Sequence, residues 1–202
     1  MSVSQMSVNQ KAGCSAVRAR TAEDQLHPRG RFVVEHFRKG VKIGHYEFPN
    51  GITNQGKNKL LDVMFHGVSA ITTWWLGLID NSGYTALAAA DTYANIDQAG
   101  NGWDEFTSYT DAGNSGSSST RPEWTEGAAS SQSITNSSPV VFDITGSGTV
   151  KGLFLVGGAA GAQTKGDHAA SGAILWATAL FGSGDVAVNA EDQLKVTYTV
   201  SA

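Results

Sequence analysis

The spacing of hydrophobic and polar positions changes several times along this chain, and each change marks an element. Over residues 31–37 and 41–48 apolar and polar residues alternate on either side of Arg38-Lys39-Gly40. This predicts a β-hairpin with glycine where a positive φ is needed. Pro49-Asn50-Gly51 interrupts the alternation, and a helical period follows. Asn54 is placed to cap a helix over about 55–66, in which Leu60, Leu61, Met64 and Phe65 form one stripe expected to pack on the β body. Gly67 supplies the stop, and residues 72–79 read as a strand carrying the adjacent Trp74 and Trp75. Neighbours on a strand point to opposite faces, so one ring is expected in the core and the other outward, beneath a loop or a subunit.

Beyond a turn at Asp80-Asn81-Ser82-Gly83, residues 84–102 are Ala-rich but carry too many Asp and Asn for a long helix; one turn at 86–90, capped by Thr85, is expected. Residues 113–120, GNSGSSST, read as a flexible low-complexity link. Strands are then predicted at 131–134, 140–144, 149–156, 172–181 and 193–200, separated by Gly- and Ser-rich turns and by a long hairpin loop at 157–172. In the last of these, Leu194, Val196, Tyr198 and Val200 alternate with Lys195, Thr197 and Thr199, one buried face against one wet face. The fold class predicted is mainly β: an antiparallel β-sandwich or jelly-roll-like body over residues 30–202 with one short helix. Residues 1–29 are small, polar and aperiodic, which predicts an extended N-terminal arm that orders against a partner.

Composition sharpens this picture. Only 16% of the 202 residues are charged, while 41% are hydrophobic and 24 are glycine. That balance suits a turn-rich β protein whose surface is covered in an assembly. The net charge of −4 is unevenly spread: residues 1–45 hold eight Lys and Arg against three acidic residues, leaving the remainder strongly acidic. A basic arm on an acidic body points to docking on an acidic protein surface. Direct nucleic-acid binding is disfavoured because the basic residues are dispersed and not interleaved with aromatics in the first 30 residues. The single cysteine, Cys14, excludes an intrachain disulfide. No apolar run of about 18 residues predicts a membrane span, and the opening MSVSQMSVNQKAG lacks the apolar centre of a secretory signal.

Candidate chemistry is sparse. Gly113-Asn114-Ser115-Gly116-Ser117 falls short of a nucleophile elbow, and the glycines at 157–166 lack the lysine placement of a phosphate loop, Lys165 coming one residue early. The five histidines contain no H-x-x-x-H pair; His36 and His45 are placed to approach each other across the hairpin, which supplies only two ligands. Asp104, Glu105, Asp111, Glu123 and Glu126 offer the paired carboxylates of a glycosidase, but flanking a flexible link they read as a solvated acidic loop. Arg121-Pro122-Glu123-Trp124 is expected to anchor the loop's return by packing Trp124, with Arg121 stacked on a ring. No catalytic residue, metal or cofactor is therefore assigned. The residues assigned to contacts with partners are Trp74, Trp75, Arg18, Arg20 and Arg29.

The segment NGITNQGKNKLLDVMFHGVSAITTWWLGLID (50–80), followed in order by Asp91-Thr92, Gly102-Trp103-Asp104-Glu105-Phe106, Tyr109, Arg121-Pro122-Glu123-Trp124 and Asn136, resembles a family of virion structural proteins from tailed bacteriophages. The resemblance covers roughly residues 30–202. It implies a non-enzymatic protein made in the host cytoplasm and carried in the virion. With the basic arm and the small size, the role expected is a capsid decoration, or cement, protein on the outer surface of the major capsid protein shell, associating there as a trimer or dimer. A tail, neck or baseplate component, and a carbohydrate- or receptor-binding module on a head or tail fibre, are the alternative readings.

Overall fold

A computed structural model of the protein describes residues 27–96, 102–166 and 171–202. The expected arm, with Arg18 and Arg20, lies outside the described residues except for its last three. Of these, Arg29 already begins the first strand.

Two six-stranded antiparallel sheets stack face to face. The first holds β1 (Arg29–Arg38), β2 (Val41–Pro49), β6 (Tyr109–Asp111), β7 (Ser133–Thr135), β8 (Val140–Ile144) and β12 (Asp192–Ser201), in the order β2-β1-β12-β8-β6 with β7 also on β12. The second holds β3 (Gly51–Ile52), β4 (Trp74–Asp80), β5 (Glu105–Phe106), β9 (Gly148–Gly157), β10 (Ile174–Leu180) and β11 (Val186–Val188), in the order β3-β10-β9-β4-β5 with β11 also on β9. The β1–β2 hairpin turns through Lys39 and Gly40, both at positive φ, and long-range pairing of β1 with β12 makes the centre of the first sheet. The mainly-β sandwich expected from the alternation is what forms.

Between the sheets lie Phe32, Val34, Phe142, Leu194, Val196 and Tyr198 of the first and Leu76, Leu78, Leu153, Leu155 and Ala177 of the second. The first sheet keeps the predicted alternation. The second does not. Its strands read WWLGLI, GLFLVG and ILWATA because both of their faces are buried. Trp75, Ile79, Phe154, Val156 and Leu175 point away from the sandwich core into a second cluster with Tyr93, Ile96, Trp103 and Ala162. Non-repetitive chain therefore roofs the outer face of the second sheet, and the protein has three layers rather than two.

The helix α1 (Asn54–Phe65) departs from expectation in two ways. Its cap is Thr53, not Asn54: the Thr53 hydroxyl accepts from the Gly56 N–H (3.0 Å) and donates to the carbonyl of Leu175 (2.5 Å). The stripe also does not pack as predicted. Only Leu60 reaches the core, whereas Leu61, Met64 and Phe65 are 53%, 65% and 80% exposed. The reason lies in the first turn. Gly56 sits directly on Trp176, where a Cβ would come within 2.7 Å of the Trp176 carbonyl. Gln55 accepts from the N–H groups of Tyr93 (3.0 Å) and Leu175 (2.7 Å). The helix is thus pinned by its N-terminal turn, and its C-terminal half projects from the body. Gly67, at φ +69°, ends it as predicted.

Two loops also correct the prediction. No helical turn forms at 86–90; a single 3-10 turn at Tyr93–Asn95 replaces it, its Asn95 side chain accepting from the N–H of Thr92. The 113–120 segment is not a free link. Asp111 accepts from the N–H groups of Gly113 and Asn114, and the chain folds back so that Ser117 pairs with Asp111.

Because the helix is held at Gly56 and not along its stripe, Gly56→Ala should destabilise by about 1–3 kcal/mol through overpacking, although alanine is the better helix former. Phe65→Ala should stay within about 0.5 kcal/mol of wild type, as exposed positions do. Denaturant melts of the two variants check this.

Candidate functional site

The chain returning from the 113–120 segment lies along β4: Leu76 donates to the Pro122 carbonyl (3.0 Å) and Trp124 to that of Trp74 (2.8 Å). This ribbon carries Arg121 inward, on the roofed face of the second sheet. Strand β5 places Glu105 opposite Ile79, on the same face. The two side chains form a bidentate ion pair, Arg121 Nε to Glu105 Oε1 at 2.8 Å and Nη2 to Oε2 at 2.7 Å, fully removed from solvent. Arg121 Nη1 also donates to the Ala162 carbonyl (2.7 Å) and the Tyr93 hydroxyl (3.2 Å), and the guanidinium lies over the rings of Phe154 and Tyr93 at 5.4 and 5.7 Å. Glu105 in turn accepts from the Tyr109 hydroxyl (3.1 Å) and the Gly166 N–H (3.1 Å). Burial by itself disfavours the charge on Arg121, but the field of Glu105 and its hydrogen bonds outweigh it, and the guanidinium pKa is raised.

The acidic loop expected from sequence is solvated only in part: Glu105 and Asp111 are buried, with Glu105 neutralised by Arg121, whereas Asp104 and Glu126 are half-buried and Glu123 is exposed. Arg121 does stack on rings and Trp124 does pack, its indole donating to the Tyr198 carbonyl (3.1 Å). What sequence reasoning missed is the pairing of Arg121 with Glu105 across 16 residues. Lys165, read against a phosphate-loop template, instead donates to the carbonyls of Thr107 and Tyr109, and burial lowers its pKa. Burial also raises the pKa values of Tyr109 and Asp111. Glu105 here is a closed structural acceptor rather than a base presented to a substrate.

A second carboxylate knot lies at the end of the first sheet. Asp192, buried, accepts from Arg38 Nε (2.7 Å) and Nη2 (2.8 Å), His36 Nε2 (2.8 Å) and the Asn189 N–H (2.8 Å). The Arg38 hydrogen bonds hold its carboxyl well below the usual range, against the opposing effect of burial. His36 and His45 do not meet, because the register sets His45 opposite Glu35 and His36 opposite Gly44. Among the described residues no three metal-ligating side chains come together.

The residues assigned to partner contacts fall in different environments. Trp75 is enclosed in the second cluster and only 7% exposed, whereas Trp74 is half-buried against the sandwich core, edge-on to Trp176 at 5.8 Å. Arg29 is exposed at the start of β1, opposite Ser201. The rings thus leave only part of Trp74 for a contact. Among the described residues, the large apolar side chains that face solvent are Leu61, Met64 and Phe65 on α1, Val68 just beyond it, Val41 and Ile43 on β2, and Leu180 on β10. Comparisons with known family models, with curated proteins and with solved structures gave no match.

Removing either half of the buried pair strands the other charge. Arg121→Met and Glu105→Gln should each cost about 3–5 kcal/mol, and the double variant less than the sum of the two, measured by chemical denaturation. For Asp192 the folded pKa is depressed, so its contribution is complete above the ordinary carboxylate value of about 3.9 and is lost as pH falls below it. Stability of the wild type should fall between about pH 5 and 2, and Asp192→Asn should lose this component of the slope. Asp111, with a raised pKa, acts in the opposite sense and offsets part of it.

Proposed function

We propose that this chain is a non-catalytic structural protein of a tailed-phage virion, a capsid decoration protein that seats on the major capsid protein shell, with copies associating there. The observation that carries the reading is the projecting half of α1, where Leu61, Met64 and Phe65 are presented to solvent by a helix whose other end is locked to the body. A soluble domain rarely leaves a cluster of large apolar side chains in this position without a partner for it. Rigid attachment at Thr53, Gln55 and Gly56 limits the ordering cost of using that face in a contact. The residues that carry the family resemblance support the same reading. Asp91, Trp103, Glu105, Arg121, Trp124 and Asn136 are all buried and bonded within the chain, which supports reading that pattern as architectural.

On the shell, each copy adds interface area across seams between capsid subunits and favours the closed particle by mass action. The arm, basic on an otherwise acidic protein, supplies a second attachment. Electron microscopy of particles, with and without the protein added back, tests the assignment. The expected result is density on the outer shell, and at least about tenfold lower occupancy for a Met64→Ser/Phe65→Ser variant that melts like wild type, as loss of a central apolar contact entails. Density at the tail or neck, or full occupancy by the variant, would overturn it.

A further inference from the structure

Strand β2 ends the first sheet, and among the described residues it pairs only with β1. One row of its backbone N–H and C=O groups therefore faces no strand. Such a row is a template for another chain, and proteins blunt it with a bulge, a lysine or a proline. All three are present here, but they lie toward the ends of the strand. Ile43 is the bulge, because Gly44 pairs with His36 and Lys42 with Phe37. Lys42 is turned onto Glu35 of the same sheet (2.8 Å), and Pro49 closes the strand. Residues 44–48 between them keep a regular register along β1. Beside this stretch Val41 and Ile43 are 65% and 50% exposed.

The open stretch is complementary to itself. His45 and Glu47, both exposed, lie on the solvent face opposite Glu35 and Val33, whereas Gly44, Tyr46 and Phe48 lie on the core face opposite His36, Val34 and Phe32. Antiparallel pairing with a second copy must set like faces against each other, so the allowed registers differ by two residues. Centred on Tyr46, the pairing sets each His45 against Glu47 of the second copy, an imidazole N–H against a carboxylate, and brings the two Tyr46 rings together. Opposite charges and aromatic rings in these positions are stabilising. The same register lays the exposed Ile43 against Pro49 of the second copy. Centred on His45, it would put Glu47 against the bulge; centred on Glu47, it would oppose two carboxylates, which is unfavourable. Glu47 bonds Arg31 of its own chain, yet its side chain stays 46% exposed and open to a second donor.

We infer that two copies of this chain join edge to edge through β2, about a twofold axis at Tyr46, so that their first sheets become one continuous sheet. The interface is isologous, each copy giving the other the same strand. The inference rests on the association of copies in the reading above, and not on the place in a particle. Its test uses the full chain free in solution, so a monomer there would overturn the β2 pairing and leave the seat of α1 on a shell to its own experiment. Sedimentation of the wild type should show a monomer–dimer equilibrium. Glu47→Lys, at an exposed position outside the core, should weaken the dimer by at least about tenfold, since the twofold axis repeats the change at both ends. His45→Asp/Glu47→Lys, which restores opposite charges in this register, should recover most of that loss. In a Cys14→Ser background, His45→Cys/Glu47→Cys should oxidise to a reducible covalent dimer, directly opposed residues being within disulfide reach. Either cysteine alone, set diagonally to its copy, should not. A wild type that stays monomeric, a dimer indifferent to Glu47→Lys, or no covalent dimer from the double cysteine variant would overturn the inference.

Discussion

The ion pair between Arg121 and Glu105 is the constraint on which the outer half of this protein depends. A sheet buried on both faces must be covered on its second face, and here the cover is chain with little regular secondary structure. Such chain carries backbone groups that have to find partners away from water. Arg121 answers that need directly, donating to Ala162 and Tyr93 while Glu105 receives Gly166 and Tyr109. One buried guanidinium therefore ties β5, the 3-10 turn at Tyr93, the β9–β10 loop and the ribbon beside β4. Replacing a pair of this kind by apolar groups often costs nothing in other proteins. Its value here lies in fixing four segments to one another, a role that apolar contacts alone would fill with less definition.

From that arrangement follows the division of labour among the tryptophans. Trp74 and Trp75 are adjacent, and the strand sends one into the sandwich and the other under the roof. Trp103 closes the roof from the far side, its indole bonded to Asp91 (3.0 Å), and Trp124 and Trp176 both bond to Tyr198 at the heart of the first cluster. With the tryptophans used internally, the exposed large apolar side chains among the described residues lie mainly on α1 and β2, Phe65 being the most exposed. That shifts the expected contact from the tryptophan strand to the far half of α1.

The proposed seat on a shell uses one part of the molecule, the far half of α1. The helix face is large, apolar and rigidly presented, which suits a protein surface.

The sequence by itself determined the class of fold, the hairpin, the glycine stop after the helix, and the inward set Leu194, Val196 and Tyr198. Each is decided by local periodicity or turn chemistry, which neighbours in sequence carry. It also marked Trp124 as a packed anchor with Arg121 stacked on a ring. It could not show that the second sheet is covered twice, because a strand with two buried faces has no alternation to reveal which side is which. Nor could it show that Leu61, Met64 and Phe65 face water: an amphipathic stripe states which residues share a face, and only the docking of Gly56 on Trp176 decides where that face points. The partners of Arg121 and Asp192 were hidden for the same reason. Glu105 lies 16 residues from Arg121 and Asp192 lies 154 from Arg38, and a charge pair of that separation is chosen by the packing of sheets, not by spacing along the chain.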